Sequence, residues 1–134
     1  MRRLVPLVLV VALVLAGCGD DGPSDDERAA TFCSRLERLT ENDPFAAFGD
    51  RATAAQVETA FRALVDRARE LVDTAPEEAE ANAREYADAA EGLDSILAGA
   101  AYDGSQVDQR AYREEQTEYL QAATRLERYL ESEC

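Results

Sequence analysis

The period of the apolar residues is the strongest constraint on what this chain can fold into. Val57, Phe61, Leu64, Val65, Ala68, Leu71 and Val72 fall within a stripe about 120° wide when projected at 100° per residue. Opposite that stripe lie Glu58, Arg62, Asp66, Arg69 and Asp73, of which Glu58, Arg62 and Asp66 follow four-residue pairing. Ala79, Ala83, Tyr86, Ala90, Leu93 and Leu97 recur at spacings of 4, 3, 4, 3 and 4, a heptad-like seam whose alanines let a neighbouring helix come close. Ala29, Phe32, Cys33, Leu36 and Leu39 share one side of an earlier segment. Tyr112, Tyr119, Ala123, Leu126 and Leu130 form the face of the last one, flanked by Ala111, Ala122 and Tyr129. No stretch shows the period-two alternation of β-branched residues that a half-buried strand requires.

Start and stop signals divide these stripes into four helices. Ser24-Asp25-Asp26-Glu27 and Thr53-Ala54-Ala55-Gln56 have the spacing of capping boxes, and the first places three acids in a first helical turn. The first helix is expected to end near Thr40. Residues 41–51 then form a connection containing Pro44, Phe45, Phe48 and Gly49, with a short helical turn over Pro44 to Phe48. Thr74-Ala75-Pro76-Glu77 stops one helix and starts the next, with Pro76 at the first helical position and Thr74 as its cap. Gly99 to Gly104 supplies turn chemistry, and Ser105-Gln106-Val107-Asp108 opens the last helix. Four amphipathic helices with mostly short connections predict an all-α fold, an antiparallel four-helix up-down bundle over residues 24–134.

The first residues read differently. Arg2 and Arg3 precede an apolar run from Leu4 to Leu15, about twelve residues where a spanning helix needs about twenty. The run ends in Leu15-Ala16-Gly17-Cys18, which resembles the lipobox of bacterial lipoproteins. That resemblance implies that Cys18 receives a diacylglyceryl group, that residues 1–17 are removed as a signal peptide, and that Cys18 becomes an acylated N-terminus, with palmitate among its acyl chains. Several acyl chains hold a protein to a bilayer stably where a single one does so marginally. Residues 18–23, Cys-Gly-Asp-Asp-Gly-Pro, then read as a polar tether that spans at most about 20 Å. Alanine richness and 14 arginines without a lysine point to a GC-rich, actinobacterial type of genome.

With Cys18 committed to lipid, Cys33 and Cys134 remain as the thiols of an exported domain, and their pairing is expected. In an up-down bundle the start of the first helix lies beside the end of the last, which brings these two positions together. Their spacing is unlike the Cys-x-x-Cys of redox-active pairs. Removal of residues 1–17 would leave 12 arginines against 28 acids, so the net charge moves from −14 to −16. An anionic domain is repelled by an anionic bilayer surface, so the lipid must provide the attachment.

Composition excludes much chemistry. The chain has no His, no Trp and no Lys. Imidazole-based triads, His-ligated zinc or haem, the Glu-x-x-His pairs of di-iron bundles, Schiff bases and Gly-Lys-Ser/Thr phosphate loops are therefore absent. The charge argues against nucleic acid as a partner. Asp103, Ser105 and Asp108 around Gly104 have a faint likeness to a calcium loop, but the other ligand positions are unfilled and a helix cap explains the same residues. Glu77, Glu78, Glu80, Glu114, Glu115 and Glu118 read as solvated surface. Asp94, at the edge of an apolar stripe, is the one acid near a core face. The expectation is a non-enzyme with no cofactor and no metal.

Two binding readings remain. The first is a lipid-anchored, extracytoplasmic protein-interaction module that meets an unknown envelope protein through a bundle face or through Phe45 and Phe48, with the acidic surface favouring a basic partner. The alternative is a small-molecule or lipid-binding protein with a pocket between helices lined by Tyr86, Tyr112 and Tyr119, since buried tyrosines carry hydroxyls that need partners.

Overall fold

The computed structural model describes residues 22–41, 43–47 and 51–134; the lipobox, Cys18 and Phe48 lie outside the described residues. Four α-helices and a short 3-10 turn follow one another: α1 (Asp25–Thr40), η1 (Pro44–Ala47), α2 (Ala54–Thr74), α3 (Glu77–Gly99) and α4 (Gln109–Glu133). Among the described residues there is no strand.

Both capping boxes form. The Glu27 amide donates to the Ser24 hydroxyl at 3.2 Å and the Ser24 amide to the Glu27 carboxylate at 3.1 Å. The Gln56 amide donates to Thr53 Oγ1 at 3.2 Å and the Thr53 amide to Gln56 Oε1 at 2.9 Å. Each reciprocal pair satisfies amides that the helix itself leaves open. Elsewhere the boundaries differ from the sequence expectation. Thr74 is the last residue of α2, where its hydroxyl donates back to the Glu70 carbonyl, and Pro76 itself is the cap residue of α3, with no side-chain cap bond. Proline holds Ala75 extended, so the cap of α3 falls two residues later than Thr74. Asp108, not Ser105, caps α4, accepting from the amides of Arg110 and Ala111 at 2.9 and 3.1 Å.

The end of α3 uses neither Gly99 nor Gly104 for its left-handed residues. Ala101 (φ 51°) and Tyr102 (φ 57°) take that conformation instead. The Tyr102 amide donates to the Leu97 carbonyl at 2.8 Å and the Ala101 amide to Ala98 at 3.0 Å, which is the Schellman pattern of helix closure. What offsets the cost is Tyr102, whose ring is buried beside the core and whose hydroxyl donates to Asp94 Oδ1 at 2.9 Å.

Packing follows the predicted stripes. Ala79, Ala83, Tyr86, Ala90, Leu93 and Leu97 of the α3 seam are all buried, as are Val57, Phe61, Leu64, Val65, Ala68 and Leu71 of α2. Contacts between α3 and α4 run through Glu78–Tyr129, Glu85–Arg125, Tyr86–Tyr119 and Gly92–Glu115, so one number falls as the other rises and the two helices are antiparallel. Neighbours in sequence are neighbours in space, α1 also lies against α4, and the diagonal helices do not approach. Cys33 and Cys134 form a disulfide with Cα atoms 5.8 Å apart, joining α1 to the end of α4. The all-helical bundle and its closing disulfide are as the sequence indicates.

Candidate functional site

The four helices are unequal. At a rise of about 1.5 Å per residue, the 16 residues of α1 reach about 24 Å and the 25 of α4 about 37 Å. Because the disulfide ties α1 to the C-terminal end of α4, α1 covers that half, with Phe32 set edge-on to Tyr129 at 5.5 Å. Beyond the end of α1 the cover comes from η1. Its Phe45 ring stands edge-on to Tyr119 at 5.5 Å and to Phe61 at 5.9 Å. Phe45 therefore closes a gap that a longer α1 would have filled, and apolar clefts open on either side of it.

The first cleft has a volume of about 350 Å³ and lies between α1, η1 and α4, floored by Leu36, Tyr86, Tyr119 and Leu126. Leu120, at its margin, is the exposed large hydrophobic residue among those described, with 51% of its surface in solvent. Asp43 and Glu127 are exposed on the same lining. The second cleft, of about 340 Å³, passes beneath the α3–α4 turn and is lined by Phe45, Leu97, Val107, Tyr112 and Gln116.

In the first cleft the hydroxyls of Tyr86 and Tyr119 are 2.7 Å apart, with ring centroids at 5.0 Å. The two residues are 4% and 6% exposed. Burial pushes the Tyr86 hydroxyl well above the usual tyrosine range, the nearby Tyr119 adding to the effect, and burial raises Tyr119 as well. Both are neutral at physiological pH. Each hydroxyl carries one hydrogen; one of the two serves the pair, and the other has no acceptor among the described residues. The cleft thus offers an apolar floor with one hydrogen-bond donor. Tyr112 is only half-buried, and burial pushes its hydroxyl up to about 12.

Of the aromatic residues singled out from sequence, Tyr86, Tyr119 and Phe45 meet at one place. Tyr112 lines the neighbouring cleft and shares Phe45 with it. Phe48 lies outside the described residues, as do Leu15, Ala16, Gly17 and Cys18. Sequence reading gave no weight to Leu120, which falls between the apolar stripe and the polar face of α4. An unpaired leucine on a helix otherwise well supplied with charge was the signal available. Asp94 receives the Tyr102 hydroxyl and so has a structural partner. Asp103 accepts from the Ser105 amide and hydroxyl at 2.9 and 2.7 Å, while Asp108 caps α4, so these acids are occupied by turn chemistry. Among the described residues no three acids, cysteines or histidines are grouped to hold a metal ion, and no helix is long and apolar enough to cross a membrane. No known protein family, curated protein or solved structure matches this chain.

Proposed function

We propose that this protein is a lipid-anchored binding module of the cell envelope, held to the membrane on its extracytoplasmic side by acylated Cys18 and docking a partner protein at the Phe45 clefts. The observation that carries the docking reading is the open apolar cleft beside Leu120, with exposed Asp43 and Glu127 among its lining residues. A partner suited to it inserts an apolar side chain against Leu36, Tyr119 and Leu126 and sets basic residues against the two carboxylates. The net charge of −14 disfavours acidic partners at long range. Support for the anchor comes from the Leu15-Ala16-Gly17-Cys18 tetrad behind two arginines, and a disulfide suits an exported, oxidising location.

A second reading has its own observation. The donor hydrogen left over by the Tyr86–Tyr119 pair suits a small apolar ligand with a carbonyl or carboxylate oxygen, and about 350 Å³ lies within the range of small-molecule sites.

Two experiments test these readings. Cys18→Ser should abolish incorporation of labelled fatty acid and release the protein from the membrane fraction; unchanged labelling and retention would refute the anchor. A photo-crosslinking residue at position 120 in intact cells should capture one polypeptide of defined mass, which the same residue at exposed position 88 on α3 should not. Equal capture at both positions, or none, would sink the docking reading. A mass increase below about 1 kDa on the native chain, removed by Tyr119→Phe, would instead select the small ligand.

A further inference from the structure

The two ends of the bundle differ in what they carry. At one end α1 begins at Asp25, shortly after Cys18 in sequence. The same end holds the α2–α3 junction and the end of α4. Arg28 Nη2 donates to the Ala75 carbonyl at 3.5 Å, the Tyr129 hydroxyl donates to Glu78 Oε1 at 3.3 Å, and the disulfide ties Cys134 to α1. The opposite end gathers η1 and the α3–α4 turn, where Phe45, Leu97, Gly104 and Val107 line one cleft. The Phe45 clefts lie toward that opposite end. Measured along α4 from Glu131, Leu120 is about 17 Å away and Gln109 about 33 Å.

Residues 18–23 span at most about 20 Å. With Cys18 in the bilayer, the Asp25 end is therefore the one held near it. The bundle cannot invert, because the 23 residues of α3 alone extend about 35 Å. Charge then separates standing from lying. A bundle on its side would bring acids along its whole length within about 8 Å of anionic headgroups, the distance over which salt leaves repulsion strong. Standing leaves a single end there. That end is acidic too, with Asp25, Asp26 and Glu27 opening α1 and Glu77, Glu78 and Glu80 opening α3, against Arg28 and Arg84. No apolar side draws the bundle down, since Leu120 is the exposed large hydrophobic among the described residues and shares its cleft with Asp43 and Glu127.

We propose that the bundle stands end-on with the Phe45 clefts opening away from the anchoring bilayer, and that their occupant is a basic, apolar-tipped segment of a protein outside that bilayer. This rests on the anchor and docking readings above and adds the direction from which the partner comes. Among the described residues, the charged groups lining the first cleft are both acids, and the second cleft has no charged lining. An anionic headgroup is repelled there. A membrane-spanning helix has no cations to set against Asp43 and Glu127, and it lies below the reach of the clefts. A segment with apolar side chains beside arginine or lysine meets both requirements.

The test places a fluorescent amino acid at position 131, 120 or 109, all exposed on α4, in the acylated full chain. Each chain is bound to vesicles of phosphatidylglycerol and phosphatidylcholine whose headgroups carry an energy acceptor. Transfer should fall by about half or more from 131 to 120 and again from 120 to 109, as the heights along α4 require. Equal transfer at the three positions means a bundle lying flat, and a rise toward 109 means an inverted one; either overturns the proposal. Flotation of the vesicles reads the anchor separately. A chain that does not float refutes the anchor and this orientation together, whereas one that floats without a gradient refutes the orientation alone. The occupant is read by sequencing whatever a photo-crosslinker at position 120 captures in intact cells. A net-positive peptide from a water-exposed region of another protein is expected. A phospholipid adduct or an apolar membrane-span peptide would overturn the assignment. No capture at all would refute the docking reading, while the transfer gradient still decides the orientation.

Discussion

Replacing Cys33 and Cys134 together by alanine tests how this bundle holds its shortest helix. The bonded residues are 101 positions apart, and closing a loop of that length lowers unfolded-chain entropy enough to contribute about 4.7 kcal/mol at 25 °C. For a domain of ~110 residues, an unfolding entropy of roughly 2.1 cal/mol/K per residue converts this into a fall of about 20 °C in Tm. The loss should also be uneven. α1 has only Phe32 and Leu36 as buried residues, whereas α3 has eight, so α1 depends on the crosslink more than any other helix. Thermal melts of the wild-type and double-alanine chains give the first number. Amide hydrogen exchange gives the second, with protection in α1 expected to fall before protection at Ala83, Ala90 and Leu93. A Tm change below about 5 °C would refute the loop argument, since it corresponds to only about 1 kcal/mol. A uniform loss of protection across all four helices would refute the view that α1 is the weakly held element.

Three further outcomes follow from the same geometry. Ala101→Gly should stabilise the chain by about 0.5–1 kcal/mol, read by denaturant titration, because glycine takes the φ of 51° without a Cβ clash; destabilisation would mean that this turn is held by something other than its backbone closure. Gly92→Ala should also stabilise by about 0.5–1 kcal/mol provided that the Glu115 side chain moves, since the atoms nearest the new Cβ are the Glu115 carboxyl Oε1 and Cδ, which overlap it, and Cγ at 3.0 Å. The Glu115 carboxyl, pushed above its usual range by burial and then by Glu118, gains by swinging outward; a loss of stability would show that it cannot move. All five tyrosines are raised, burial being the largest cause in each, and Tyr112 reaches about 12. The folded state keeps protons that the unfolded chain releases, so stability should fall as pH rises from about 10, the ordinary tyrosine value. Absorbance at 295 nm should therefore lag and then rise together with loss of helix; full ionisation near pH 10 with the helix intact would contradict the burial.

Part of the site was legible and part was not. The seven-residue interval between Tyr112 and Tyr119, and the place of Tyr86 in the α3 seam, put all three on core faces. Their partners depend on the register between helices, which leaves no mark in local sequence. Tyr86 and Tyr119 meet hydroxyl to hydroxyl, while Tyr112, one heptad away from Tyr119, lies in the neighbouring cleft.

By itself the sequence determined the four helices, the faces they bury and, once the lipobox resemblance assigns Cys18, the pairing of Cys33 with Cys134. Apolar period, capping boxes and thiol number are properties of neighbouring residues or of simple counting, and they survive any rearrangement of the helices. Only the tertiary structure decided that α1 stops short of covering α4, that Phe45 fills the gap and that clefts open beside it. It also decided that Ala101 and Tyr102 rather than a glycine turn the chain after α3. Those outcomes depend on relative helix length and register, where the energies of many small contacts across the bundle are compared at once.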